Sequence, residues 1–186
     1  MSQKKDTPVL FKNTTFAIAR ELFSKPNKTF HLRKLAKETG LSTTAVDRSV
    51  HELMRSGSVE AIKTDLTTNI KANLSSEHYR AQKVILNLFL LEHYKLVQVL
   101  QETFHPKTIV LFGSYAKGKQ TNWSDFDLCI VSSAFEKKIK NPMNYLWSKR
   151  LAVNDFTIEP VGFSPSDFAE ESPLISEIKK YGIMVR

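Results

Sequence analysis

The sequence predicts an α+β fold in two domains. Residues 1–76 form helices closed by two short strands, residues 77–105 a long linking helix, and residues 106–186 a mixed β-sheet flanked by helices. Three observations predict it. In the first half, short amphipathic stretches end at Gly57 and give way to two alternating runs of strand length. Residues 77–104 are helical in pattern and apolar almost all round in their middle. In the second half, Lys107–Phe112 and Leu128–Val131 are apolar runs too short for helices and bounded by turn residues.

At 186 residues with 41% apolar and 25% charged side chains, the chain has the composition of a globular protein. Its net charge is +8, of which +6 falls in residues 1–105 and +2 in residues 106–186. That excess points to a polyanion such as nucleic acid as a partner of the first half. Cys129 is the sole cysteine, which excludes an intrachain disulfide and a cysteine-built zinc site. Its place in an apolar strand predicts a buried, inert thiol. Met1–Asp6 has no apolar signal core. The longest apolar run, Val84–Leu91, contains Asn87 and stops at Glu92, too short to span a bilayer. The expectation is a cytoplasmic protein without a membrane partner.

Residues 8–24 place Leu10, Phe11, Phe16, Ala17, Ile18, Leu22 and Phe23 largely on one helical face, and Lys25-Pro26-Asn27-Lys28 stops the helix. Thr29-Phe30-His31 is an extended link. Leu32–Thr39 is a short helix closed by Gly40. Ser42 or Thr43 caps a further helix to about Ser56, with Ala45, Val46, Val50, Leu53 and Met54 inward. Ser58–Lys63 and Asn69–Leu74 alternate as strands around a turn at Thr64–Thr68. The pattern Leu32-x-x-Leu35-Ala36, Gly40-Leu41-Ser42, Val46, Val50, Leu53, Gly57 resembles a winged helix-turn-helix domain. The resemblance implies duplex DNA as partner, and the domain also serves as a protein-interaction module. Thr43, Thr44, Arg48 and His51 would face DNA from the second helix of the pair, beside Ser42 and Asp47. Arg33 and Lys34, with Lys37, would sit near the backbone, and Lys63 or Lys71 on the wing. The bland alternative is a solvated polar face.

The helix over residues 77–104 carries Val84, Ile85, Leu88, Phe89, Leu90, Leu91, Leu96, Val97, Val99 and Leu100, and needs burial on more than one side. It either packs on both domains or pairs with a second copy in a homodimer. His105-Pro106 ends it.

The chemistry lies in Gly113-Ser114-Tyr115-Ala116-Lys117-Gly118 and, with ten residues between Ser114 and Asp125, in Asp125-Phe126-Asp127. In a strand, residues two apart point the same way, so Asp125 and Asp127 put two carboxylates on one face, where they can share a divalent metal. A Gly-Ser turn can bring backbone amides and a hydroxyl against a phosphate. Together these make a site for phosphoryl or nucleotidyl transfer.

Gly113-Ser114, ten residues, Asp125-x-Asp127 resembles the motif of the polymerase-beta-type nucleotidyltransferases, in particular the minimal nucleotidyltransferases that include antitoxins paired with HEPN toxins. The resemblance covers about residues 106–186. It implies a third carboxylate from a neighbouring strand, for which Asp155 and Glu159 are the candidates. Such chains often run from this acid to a Ser/Thr-Pro-x-acid-Phe helix start, here Ser164-Pro165-Ser166-Asp167-Phe168, which favours Glu159. A Glu there departs from the usual Asp and moves the carboxylate by about one bond length, ~1.5 Å.

The implied catalytic and metal-binding set is Asp125, Asp127 and Glu159, with Mg²⁺ or Mn²⁺ as cofactor. Asp125 and Asp127 would hold the metal on the β- and γ-phosphates. Asp127 and Glu159 would share a second, Glu159 also serving as base. Gly113, Ser114, Lys117 and Ser124 would bind ATP or another NTP, with Lys119 a weaker candidate. Trp123 could stack on a base or pack beside the loop, and Tyr115 could pack or accept a nucleotidyl group. Lys137-Lys138-Ile139-Lys140 reads as a solvated segment, and Tyr145 and Trp147 as core. The C-terminal stretch reads as a helix, a Gly cap and an edge strand. The short segment after Asp127 argues against processive synthesis. The implied acceptor is a protein or RNA hydroxyl, such as one on a HEPN-type toxin, with the first domain binding promoter DNA. The alternative is a non-catalytic transcription regulator whose second domain senses nucleotide.

Overall fold

The computed structural model describes residues 13–64, 67–121, 124–136 and 158–186, which fall into two compact units that divide between Leu86 and Asn87. Trp123, the 137–140 segment, Tyr145, Trp147 and Asp155 lie outside the described residues.

In the first unit, α1 (Thr14–Ser24) starts at Asn13, whose side chain accepts the Phe16 N–H. Its inward face is Ile18, Leu22 and Phe23. Strand β1 (Phe30–His31) leads into α2 (Leu32–Thr39), which stops where Gly40 takes a left-handed conformation. Ser42 then caps α3 (Thr43–Arg55), accepting the Ala45 N–H. Val46, Val50 and Leu53 are buried at helical spacing. β2 (Val59–Lys63) and β3 (Thr68–Ala72) pair antiparallel, with Val59 opposite Ala72 and Lys63 opposite Thr68. The extended link at Phe30–His31 is a third strand, pairing with Ile70 and Asn69 to give the sheet order β1-β3-β2. Two residues opposite β3 are too short to announce themselves as a strand in sequence.

The helix expected over 77–104 is two helices. α4 (Glu77–His93) stops, and α5 (Leu96–Phe104) starts after Lys95, which adopts φ 54°, ψ 31°. A left-handed non-glycine residue costs about 1–2 kcal/mol. The turn redirects the chain so that Leu96, Leu100 and Phe104 of α5 are buried on one stripe, and burying one such side chain contributes about 1.5–3 kcal/mol. Packing therefore outweighs the local cost. Residues of α4 up to Leu86 count with the first unit, where Tyr79 meets Phe23 edge-on, and those from Asn87 with the second.

The second unit is built on a four-stranded mixed sheet in the order β6-β5-β4-β7. β4 (Thr108–Leu111) runs antiparallel to β5 (Phe126–Val131), and β6 (Ile158–Phe163) lies parallel to β5. One sheet face carries Val110, Cys129 and Val131, with Val161 and Phe163 beside them. It is covered by Phe168 of α7 (Pro165–Ala169) and Ile178 of α8 (Pro173–Tyr181). The Ser164–Phe168 stretch forms a capping box, Ser164 accepting the Asp167 N–H and Asp167 reaching back to the Ser164 N–H. After α8 and Gly182, β7 (Ile183–Met184) pairs with β4. Cys129 is fully buried, and burial pushes its thiol up to about 12, which leaves it inert. Among the described residues, no helix is long and apolar enough to cross a membrane.

Candidate functional site

Alternation along β5 sets the site. Phe126, Leu128 and Ile130 point to one side, and Asp127, Cys129 and Val131 to the other. Asp127 is therefore the first residue on the face that α7 and α8 cover further along, at the open end of that face. Directly across the parallel pair, Glu159 is its registered partner. Residues in register on adjacent strands share a face, so Asp127 and Glu159 stand side by side, Asp127 half-buried and Glu159 exposed. Asp125 precedes the strand and is half-buried.

The Gly-Ser turn lies against Asp127. β4 leads into a short helical turn, α6 (Gly113–Ala116), and the Phe112 N–H donates to the Asp127 carbonyl at 3.0 Å. Gly113 has φ 65°, and a Cβ built on it would fall 1.9 Å from Asp127 Oδ2 and 2.7 Å from its Cγ. Only glycine satisfies both the backbone and the space.

The charges are crowded. Burial, then the charge of Glu159, raise the Asp127 carboxyl above its ordinary value. A hydrogen bond from the Ser114 backbone N–H lowers it, and the charges of Asp125 and Glu177 raise it again. That N–H thus serves Asp127, whereas the sequence reading reserved the amides near Ser114 for phosphate.

The remaining predicted nucleotide-binding residues are placed as follows. Lys117, half-buried at the end of α6, donates to Glu177 Oε1 at 2.6 Å, a contact 60 residues apart in sequence. Ser124 Oγ accepts the Thr121 N–H at 3.0 Å, next to Asp125. Lys119 is exposed. Tyr115 is buried and stacked on Phe126, with ring centroids 3.7 Å apart. Burial, with the Asp125 and Asp127 charges adding, pushes its phenol up to about 12. Of its two readings, packing is the one that fits this placement.

Two supporting residues were not singled out from sequence. Asn87, buried in α4, donates from Nδ2 to the Tyr115 carbonyl at 2.8 Å and accepts from Gln120 Nε2 at 2.5 Å. An asparagine inside an apolar helical run is the signal that marks such a residue. Asn87→Ala leaves the Tyr115 carbonyl and the Gln120 amide without this partner, so it is expected to destabilise the protein by about 1–3 kcal/mol. A thermal melt indistinguishable from wild type would contradict that role. The second is Glu177, whose neighbourhood to Lys117 no local pattern records.

In the first unit, the residues proposed to face DNA are exposed. Thr43, Thr44, Asp47, Arg48 and His51 are all exposed along one side of α3, and Arg33, Lys34 and Lys37 are exposed on α2. On the strands, Lys71 pairs with Glu60 at 3.1 Å, and Lys63 is exposed.

Among the described residues, no group of three or more His, Cys, Asp or Glu side chains is arranged to hold a metal ion. The carboxylates available are hard oxygen donors in a field that is already too negative for Asp127. A divalent cation suits such a field, since Mg²⁺ is commonly held by one or two carboxylates and completed by phosphate oxygens and water.

No curated protein and no solved structure matches the chain. A family model described as a nucleotidyltransferase domain matches residues 93–185, half of the chain. The matched stretch takes in α5, which falls within the linker that the sequence predicts, together with the Gly-Ser turn, both aspartates and Glu159. The general activity that this match supports is nucleotidyl transfer, and the chain belongs to the nucleotidyltransferase domain family.

Proposed function

We propose that the protein is a metal-dependent nucleotidyltransferase that moves a nucleoside monophosphate, AMP from ATP, to a hydroxyl of a protein or RNA acceptor, and that its first unit is a winged helix that binds duplex DNA. The observation that carries the catalytic part is the packing of Gly113 against the Asp127 carboxylate with Glu159 in register beside it. A turn suited to phosphate and a pair of carboxylates thereby occupy one spot.

The chain's own residues have distinct tasks in this reading. Ser114 and Lys117 hold the triphosphate, and Gly113 keeps the turn close to Asp127. Glu159, exposed beside Asp127, takes the proton of the acceptor hydroxyl. The acceptor oxygen bonds to the α-phosphorus, the bond from that phosphorus to the bridging oxygen breaks, and pyrophosphate leaves with the electron pair. Asp127 and Glu159, with Asp125 just before the strand, would supply the one or two carboxylates that hold Mg²⁺ or Mn²⁺, and the ion would neutralise phosphate charge and lower the pKa of the attacking hydroxyl. Labelled ATP with Mg²⁺ and candidate protein and RNA acceptors, followed for pyrophosphate and for label transfer, tests the reading. Intact nucleotide binding without turnover would instead favour a nucleotide-sensing regulator.

Support for the winged helix comes from the order α1-β1-α2-α3-β2-β3, the sheet order β1-β3-β2 and the exposed polar face of α3. Arg48→Ala is expected to weaken binding to duplex DNA and to reduce the dependence of log K on log salt by about one. Fluorescence anisotropy at several salt concentrations reads both, and an unchanged slope would remove Arg48 from the interface.

A further inference from the structure

Lys117 ends the Gly-Ser turn, and its ammonium is already engaged. Its ammonium lies 2.6 Å from Glu177 Oε1 and 5.2 Å from the ring centroid of Tyr181. Glu177 and Tyr181 are one helical turn apart on α8, so a single helix face reaches over to Lys117. The two charged side chains remain 35% and 43% exposed, so a ligand can reach both. Glu177 is also among the charges that act on Asp127, which places it in the same electrostatic field as Asp125 and Glu159.

A triphosphate entering this field meets four carboxylates, Asp125, Asp127, Glu159 and Glu177. A divalent cation suits the carboxylates around Asp127, whereas Glu177 sits on the lysine. We infer that Glu177 is an internal counter-anion at the phosphate end of the site: it holds Lys117 when no nucleotide is bound, competes with the triphosphate for that ammonium, and so sets how tightly nucleotide binds. The inference rests on the reading of this site as a nucleotide site. Glu177 acts through Lys117 and is therefore a positioning residue.

The test uses two probes, Mg²⁺ with inorganic tripolyphosphate and Mg²⁺ with ATP, titrated calorimetrically into the full chain. The first carries the charge without a base and is indifferent to base preference. Glu177→Gln removes one negative charge and frees Lys117, and is expected to tighten both probes by about three- to fivefold, the scale of a partly exposed ion pair. Lys117→Met is expected to weaken both. In the Lys117→Met background, Glu177→Gln is expected to have a smaller effect, since only long-range repulsion remains to be relieved. A purely structural role for Glu177 would move the melting temperature without this non-additivity. Unchanged or weaker binding by Glu177→Gln would overturn the inference and leave the nucleotide site standing. A wild-type chain that binds neither probe would overturn the nucleotide reading and this inference with it.

Discussion

Asp127→Asn is expected to lower pyrophosphate release and label transfer by about 10³-fold or more, because the substitution removes a charge from the proposed phosphate-transfer site while keeping its shape. The same variant is expected to melt higher than wild type at neutral pH. The sign follows from the direction of the shift. Burial and the neighbouring charge of Glu159 raise the folded-state pKa of Asp127 above its unfolded value. Its ionised form therefore opposes folding at neutral pH. The penalty is full above the folded value, shrinks as pH falls through it, and vanishes below the unfolded value. Asparagine removes it and can still accept the Ser114 N–H. The gain in melting temperature should thus be present at pH 7 and absent below about pH 3. Transfer within a few-fold of wild type would end the catalytic assignment of Asp127. A lower melting temperature at pH 7 would contradict the charge crowding.

Gly113→Ala is expected to damage stability and chemistry together. At φ 65° an alanine carries about 1–2 kcal/mol of backbone strain. Its Cβ would also lie 1.9 Å from Asp127 Oδ2, so either the turn or the carboxylate must shift. A displacement of about 1 Å in a reacting site typically costs about 10²-fold in rate. Gly40 supplies the matched comparison: it has φ 70° with nothing within 4 Å of a built Cβ. Gly40→Ala should show the strain in a thermal melt and leave transfer unchanged. If Gly113→Ala keeps wild-type transfer, the close approach to Asp127 has no catalytic consequence.

Local elements were legible wherever a residue's preference and its burial agree. Ser42 and Gly40 mark helix ends through their own hydrogen bonds and dihedral freedom. The Ser164-Pro165-Ser166-Asp167 stretch is a capping box in sequence and in space. Where the two disagree, the reading failed. Nothing in His93-Tyr94-Lys95 discourages a helix, yet the chain turns at Lys95 because burying one stripe of α5 outweighs a strained residue. The short strand at Phe30–His31 exists only through its pairing with β3.

For the site, the sequence pointed by itself to a glycine turn near Asp127 and proposed the transfer chemistry, since glycine's freedom and strand alternation are local properties, while Asp125 lies just before the strand that starts at Phe126. Tertiary structure decided the contacts around them, including the place of Glu159, which the resemblance had favoured. The registry of β5 on β6 sets Glu159 next to Asp127, the packing of α8 over the sheet brings Glu177 to Lys117, and α4 reaches the turn through Asn87. Each of these pairings joins residues at least 28 positions apart, and such contacts follow from how elements bury their apolar faces together, which no single segment encodes.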